Sequence, residues 1–147
     1  MRPDLQEFVE RYRVAVAFAR AFVQELGKEQ AYPIIQRAFE EMQVEAAHEL
    51  ADELGDNSLE TLADHYRQRA AESDTLEVVE VTDRQIGLKI TRCRSFEALS
   101  HLGMPELCQL YCDSDAVAIR DFNPNMRMVR TKTIASGDDY CDHTWVL

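Results

Sequence analysis

The spacing of apolar residues changes near residues 73–74 and divides the chain into two parts. Between residues 5 and 54, apolar side chains recur every three or four positions, which is typical of a helix with one buried face. Between residues 76 and 146, short segments rich in β-branched residues partly alternate apolar and polar side chains, as half-buried strands do. We therefore expect an α+β fold, with helices first and a sheet afterwards.

The helical part predicts three helices. The first ends at Gly27, and the second runs through residues 31–54. Pro33 fits the second helix only within its first turn, where no backbone donor is needed. Asn57 is the expected N-cap of the third helix. Residues 1–75 thus form a helical lead-in to the sheet.

The second part predicts two hairpins separated by a helical insertion. Ser95 is the expected cap of a short helix, and Pro105 suits the first turn of a longer one. The strands pair in chain order, 76–82 with 86–92 and then 126–134 with 140–146. We expect one domain over residues 1–147, with the N-terminal helices packed on one side of an antiparallel sheet of about four strands.

The net charge of the chain and the motifs it lacks limit the partners and cofactors that we expect it to bind. The chain carries 27 acidic against 16 basic side chains, a net charge of −11, and this field disfavours nucleic acids and anionic membranes. Residues 1–26 are charged and amphipathic, unlike a signal peptide, so we expect a cytoplasmic protein. No Gly-rich strand–helix–strand unit is present, and we expect no cofactor. Basic residues in two short stretches still suit a small anionic ligand.

Four cysteines are present, and without an export signal we expect them to be reduced. On the helix after Pro105, Cys108, Cys112 and Asp115 share one face. Cys112 and Asp115 either meet in a cavity or have separate roles, as a packed thiol and a solvated acid. In the last strand, alternation places Cys141 on the same side as Trp145, turned toward the core.

The other candidate site residues can also be explained by a purely structural role. Arg130 suits capture of a ligand carboxylate or a surface ion pair. Gly137 and Asp138 suit a pocket edge or an ordinary turn. Three cysteines and His143 are zinc-ligand types, but no C-x-x-C pair occurs, so a three-thiolate zinc site is the weaker hypothesis.

Five segments taken together resemble the L-2-amino-thiazoline-4-carboxylic acid hydrolase family. They are ITRC, GMPELCQLYCDSD, FNP, RTKT and SGDDYCDH, at residues 90–93, 103–115, 122–124, 130–133 and 136–143. The positions that match are Cys93, Cys112, Asp115, Arg130, Gly137, Asp138, Cys141 and Asp142, whereas Cys108 is additional.

The resemblance implies hydrolytic opening of a cyclic amidine to an N-carbamoyl cysteine. It implies Cys112 or Cys141 as nucleophile or acid, and Asp115 or Asp138 at the amidine or at water. Arg130 is the implied anchor for the substrate carboxylate, and Cys93, Gly137 and Asp142 complete the binding site.

Two other function classes stay open. A noncatalytic small-molecule-binding or sensing domain, similar to the vinyl-reductase-like ligand-binding group, would use the same pocket. A structural metal-binding domain is the weaker alternative. The strongly amphipathic first helix also suggests a homodimer.

Overall fold

The computed structural model describes every residue from Met1 to Leu147. The predicted order of helices, hairpin, helical insertion and hairpin is confirmed. The elements are α1 Pro3–Leu26, α2 Lys28–Leu54, α3 Leu59–Ala71, β1 Leu76–Val81, β2 Gln85–Ile90, α4 Arg94–His101, α5 Leu107–Phe122, β3 Arg127–Val129 and β4 Cys141–Val146, with a 3₁₀ turn at Ile134–Ser136. None of the helices combines the length and the apolar character needed to cross a bilayer.

The four strands form one antiparallel sheet in the order β1-β2-β4-β3. Strands β2 and β4 pair with each other and so connect the two hairpins. In their register Ile86 lies opposite Trp145 and Ile90 lies opposite Cys141. Because Cys93 follows β2 by three residues, this register brings Cys93 and Cys141 to the same end of the sheet.

Two apolar clusters make up the core, and helices α2 and α5 belong to both. The first cluster joins α1, α4 and the first halves of α2 and α5. The second joins α3, the sheet and the second halves of α2 and α5. On α5, Cys112 belongs to the first cluster and Ile119 to the second, with Asp115 between them. A polar residue, Asp115, therefore lies in the interior where the two clusters meet.

Four helix starts differ from the predictions. Helix α5 begins at Leu107, so Pro105 precedes the helix instead of starting it. Helix α2 begins at Lys28, so Pro33 lies in its second turn and one backbone hydrogen bond is lost there. Ser58, not Asn57, caps α3, since its Oγ accepts from the Thr61 N–H. Cys93, not Ser95, caps α4, because the Phe96 N–H donates to its Sγ at 3.4 Å.

The third strand is much shorter than the predicted 126–134. Beyond Val129 the chain leaves the sheet, because carboxylates bind the backbone donors that a longer strand would pair. Asp142 accepts from the N–H groups of Thr131 and Lys132 at 2.8 and 2.6 Å. Asp138 accepts from the Thr133 N–H at 2.9 Å. The expected long hairpin is thus a short one with a structured loop.

Candidate functional site

A hollow of about 330 Å³ lies where α3, α5 and the start of α4 meet strands β2 and β4. We call it the thiol hollow, because three of the four cysteines line it. Its chemically active side chains are Cys93, Cys112, Tyr111, Asp115, Cys141 and His143. Residues far apart in the sequence are brought together here, and the predicted neighbours Cys112, Asp115 and Cys141 share this hollow.

The fourth cysteine connects two of the others. Cys108 is fully buried, and its Sγ lies 4.0 Å from Cys93 Sγ and 3.9 Å from Cys112 Sγ. The contact with Cys112 is the main cause that raises the pKa of Cys108 far above its usual range. Cys108 therefore stays protonated and can donate its S–H to Cys93. All four thiols are free.

Cys93 is the most acidic of the thiols whose pKa is shifted. The hydrogen bond from Cys108 lowers the pKa of Cys93 to about 7, and the backbone N–H groups of Phe96 and Ser95 add to this. Its position as N-cap of α4 also places it at the positive end of a helix dipole. Burial instead raises the pKa of Cys141. Near neutral pH, Cys93 thus has substantial thiolate character and Cys141 does not.

Asp115 is a carboxyl held inside the protein. Burial raises the pKa of Asp115 to about 7, although the Arg130 guanidinium, 3.8 Å away, opposes this. Its Oδ1 accepts a hydrogen bond of 2.8 Å from Gln43 on α2. A carboxyl with this pKa can either give or take a proton near pH 7.

His143 lies on the same side of β4 as Cys141 and Trp145, as the alternation predicts, and all three line the hollow. Burial lowers the pKa of His143 to about 4, so its imidazole is neutral at pH 7. Its ring packs edge-on against Trp145 at 5.7 Å between centroids. A neutral imidazole in a hollow with thiols and a carboxyl can accept a hydrogen bond from water, and its low pKa makes it a weak base.

Arg130 lies behind Asp115 and does not line the hollow. Its Nη1 donates to the Cys112 carbonyl oxygen and its Nη2 to Asp113 Oδ1, each at 2.8 Å. Only 10% of its side chain is exposed. These contacts fasten the loop after β3 to α5 and leave little of the guanidinium for a ligand.

The remaining predicted site residues lie in the loop before β4. Gly137 has a φ of 97°, which favours glycine, and it ends the 3₁₀ turn. The carboxylates of Asp138 and Asp142 hold the loop backbone through the hydrogen bonds described above. None of the three lines the thiol hollow, and their predicted catalytic and binding roles stay predictions.

A second hollow of about 240 Å³ lies between α2, α3 and α5. We call it the apolar hollow, since nine of its twelve lining residues are hydrophobic. Both hollows are lined by Tyr66, Arg69, Asp115 and Trp145, which form a shared wall. The indole Nε1 of Trp145 is a buried donor without a partner. Arg69 is exposed, lies 6.0 Å from the centroid of the Tyr66 ring, and forms no ion pair.

The family model described as L-2-amino-thiazoline-4-carboxylic acid hydrolase matches residues 7–145 of the chain. The chain belongs to this family. The resemblance noted in the sequence is thereby confirmed, and it extends into the N-terminal helices. No curated protein gives a match.

The arrangement of the side chains does not support the hypothesis of a metal site. No group of three or more His, Cys, Asp and Glu side chains is placed to hold a metal ion. The thiols of Cys93, Cys108 and Cys112 contact one another in a row, and Cys141 Sγ accepts from the Ile134 N–H at 3.2 Å.

Sequence reasoning did not single out several residues that line the hollows of this hydrolase-family chain. Tyr66 and Arg69 come from α3, and nothing in their helical pattern marks them, because a Tyr in a buried stripe and an Arg beside it are ordinary in amphipathic helices. His143 enters the sequence analysis only as a possible zinc ligand. The strand alternation was the signal that pointed to it.

Replacing Asp115 tests whether its carboxyl is costly to ionise in the folded protein. Its folded pKa of about 7 exceeds the reference value of 3.8. The unfolding free energy should therefore fall as pH rises from about 4 to 7, then level off. Asp115→Asn should remove this fall and stabilise the protein at pH 8 by roughly 2–4 kcal/mol. Thermal or urea unfolding at pH 5 and pH 8 measures the difference.

The matched control is Asp113→Asn, two positions earlier on α5 and half exposed. It should give no stabilisation at pH 8, because it removes an ion pair with Arg130. An Asp115→Asn protein with the same pH dependence as the wild type would contradict the buried-acid interpretation.

Proposed function

We propose that the protein is a hydrolase that opens a small cyclic amidine, such as a 2-aminothiazoline carboxylate, in the thiol hollow. The observation that carries the proposal is the meeting of three groups in one hollow, namely a thiol with a pKa of about 7, a carboxyl with a pKa of about 7 and a neutral imidazole. Family membership supports the reaction class. Groups with such perturbed pKa values favour nucleophilic and acid–base chemistry.

Cys93 is the nucleophile in this proposal, in preference to Cys112 or Cys141. Its thiolate attacks C2, the amidine carbon of the ring, and forms a C–S bond. The bond from C2 to the ring sulfur then breaks and the ring sulfur keeps the electron pair. Protonated Asp115 gives its proton to that sulfur, which leaves an open-chain isothiourea on Cys93.

Water completes the reaction. The Asp115 carboxylate, which has given up its proton, takes one from a water molecule that attacks the same carbon, while neutral His143 accepts a hydrogen bond from that water. The C–S bond to Cys93 then breaks with the pair returning to the thiolate. The product tautomerises to a urea, an N-carbamoyl cysteine when the substrate is 2-aminothiazoline-4-carboxylate. Asp115 is thereby protonated again, as it was at the start. The sum is one substrate and one water converted to one product.

Arg69, rather than Arg130, is the proposed anchor for the substrate carboxylate. Arg130 is committed to the Cys112 carbonyl and to Asp113. Arg69 lines the hollow with a guanidinium that has no carboxylate partner. A guanidinium binds a carboxylate through two parallel hydrogen bonds, which would orient the ring toward the thiols.

Replacing Cys93 tests the nucleophile. Cys93→Ala should lower kcat/KM for ring opening by roughly 10³-fold or more, because the covalent step is lost. In the wild type, rapid quenching followed by intact-protein mass spectrometry should show an adduct with the mass of one substrate molecule. Cys141→Ser, at a thiol in the same hollow, should stay within about tenfold of the wild type. Full activity of Cys93→Ala would contradict the assignment.

Replacing Arg69 tests the anchor. Arg69→Ala should raise KM by roughly 10–100-fold with little change in kcat, the loss expected for one charged hydrogen-bonded contact. Arg67→Ala is the control, since Arg67 is two residues away on α3 and pairs with Asp64 outside the hollow. Initial rates over a range of substrate concentrations separate the two parameters. Equal KM values in both variants would rule Arg69 out.

The same assay addresses the noncatalytic alternative. A sensing domain would show ligand-dependent thermal stabilisation with no product formed. Ring opening by the wild type, lost in Cys93→Ala, favours the hydrolase.

A further inference from the structure

We propose that the apolar hollow is a second subsite, which holds an apolar substituent carried by the ring of the substrate. The inference rests on the proposed function and names its substrate class as cyclic amidine carboxylates with an alkyl or aryl group next to the carboxylate-bearing carbon. The contiguity of the two hollows and the chemistry of their shared wall carry the argument.

The two hollows meet along a wall whose members have different chemical roles. Asp115 and Arg69 supply a carboxyl and a free guanidinium, while Tyr66 and Trp145 supply stacked rings with 6.4 Å between centroids. With the amidine carbon at Cys93 and the carboxylate at Arg69, the ring carbons beside the carboxylate lie at this wall. A group attached there extends away from the thiols and into the apolar hollow.

Small side chains keep the apolar hollow open. Ala46 and Ala47 on α2 and Ala118 on α5 line it together with larger residues such as Leu62 and Phe122. The one polar pair at its edge, Gln43 with Asp115, is already joined by a hydrogen bond. The space therefore offers apolar contact and no unpaired charge apart from Arg69 at the wall.

Size supports the same conclusion. The thiol hollow, at about 330 Å³, is near the small end of ligand pockets and suffices for a five-membered ring with its carboxylate. The adjoining 240 Å³ is then unused by an unsubstituted ring. Filling it with two or three carbon atoms buries apolar surface that otherwise contacts water.

The test compares 2-aminothiazoline-4-carboxylate with its 5-propyl derivative, for turnover by the wild type and for binding by calorimetry in the Cys93→Ala background, where ring opening does not consume the ligand. The Cys93→Ala protein should bind the propyl compound at least about tenfold more tightly than the parent compound, the gain from burying roughly two methylene groups. Ala118→Leu, which fills the apolar hollow, should abolish this preference and leave the affinity for the parent compound unchanged. Ala116→Leu, on the same helix but outside both hollows, should keep the preference.

The outcomes separate this inference from the proposed function. Equal dissociation constants for the two compounds in the Cys93→Ala protein, or a preference that survives when Ala118→Leu is added, would overturn the subsite. Tight, Ala118-dependent binding of the propyl compound without turnover of either compound would support the subsite and contradict the hydrolase.

A second surface supports an independent inference about assembly. Helix α1 exposes an apolar stripe of side chains spaced four apart, comprising Val14 (64% exposed), Phe18 (61%), Phe22 (39%) and Leu26 (40%). The rings of Phe18 and Phe22 stack on each other in water. Apolar stripes of this kind mark interaction surfaces.

We infer that a second copy of the chain covers this stripe, with the two α1 helices antiparallel and crossing at Phe18. In that register each Val14 meets the partner helix at the level of Phe22. Arg11 and Glu25 lie on the same face, at opposite ends of the stripe. The Arg11 of each copy then lies opposite the Glu25 of the other copy, so this pair occurs twice in the dimer. Arg11 already pairs with Glu7 of its own helix at 3.0 Å. The antiparallel arrangement adds Glu25 of the second copy beside Arg11, whereas a parallel arrangement in register would bring Arg11 against Arg11.

Charge exchange tests this pairing. Light scattering at micromolar concentration should show a dimer for the wild type, a monomer for Arg11→Glu and for Glu25→Arg, and a dimer again for the double variant. Val79→Lys, at an exposed position on β1, should leave the dimer intact. A monomeric wild type, or a double variant that stays monomeric, would overturn the inference.

Discussion

The pairing of α2 with α5 is the contact on which the rest of the structure depends. Each of these helices contributes to both apolar clusters, so the pair holds the helical layer and the sheet layer together. Between the clusters the pairing becomes polar, where Gln43 donates to Asp115 at 2.8 Å. The Asp115 carboxyl is therefore buried where the two clusters meet, and it lines both hollows.

Burial and hydrogen bonding act in opposite directions on the groups at this level. Burial disfavours the charged form, which raises the pKa of Asp115 and lowers that of His143. Hydrogen bonding to sulfur favours the thiolate, which lowers the pKa of Cys93. One environment thus holds a carboxyl that can be protonated, a neutral imidazole and a thiol with substantial thiolate character at the same pH, which are the groups that the proposed hydrolysis uses.

Several residues of a catalytic type instead hold the scaffold that positions these groups. Asp138 and Asp142 bind backbone N–H groups, and in doing so they end β3 early and shape the loop that leads into β4. Arg130 fastens the same loop to α5. Cys108 has a related role, since it is fully buried and its Sγ contacts the Sγ atoms of both Cys93 and Cys112. The positions of Cys141 and His143 depend on this supporting network.

The sequence by itself determined the helices, the two hairpins, and which residues share a face, because periodicity and turn chemistry are local properties of the chain. It thereby placed Cys112 with Asp115 and Cys141 with His143, and the family followed from the order of five segments. Tertiary structure alone decided that β2 pairs with β4, that Arg69 rather than Arg130 faces the hollow, and that Cys93 is the acidic thiol. These depend on burial and on contacts between distant segments, which no local pattern encodes.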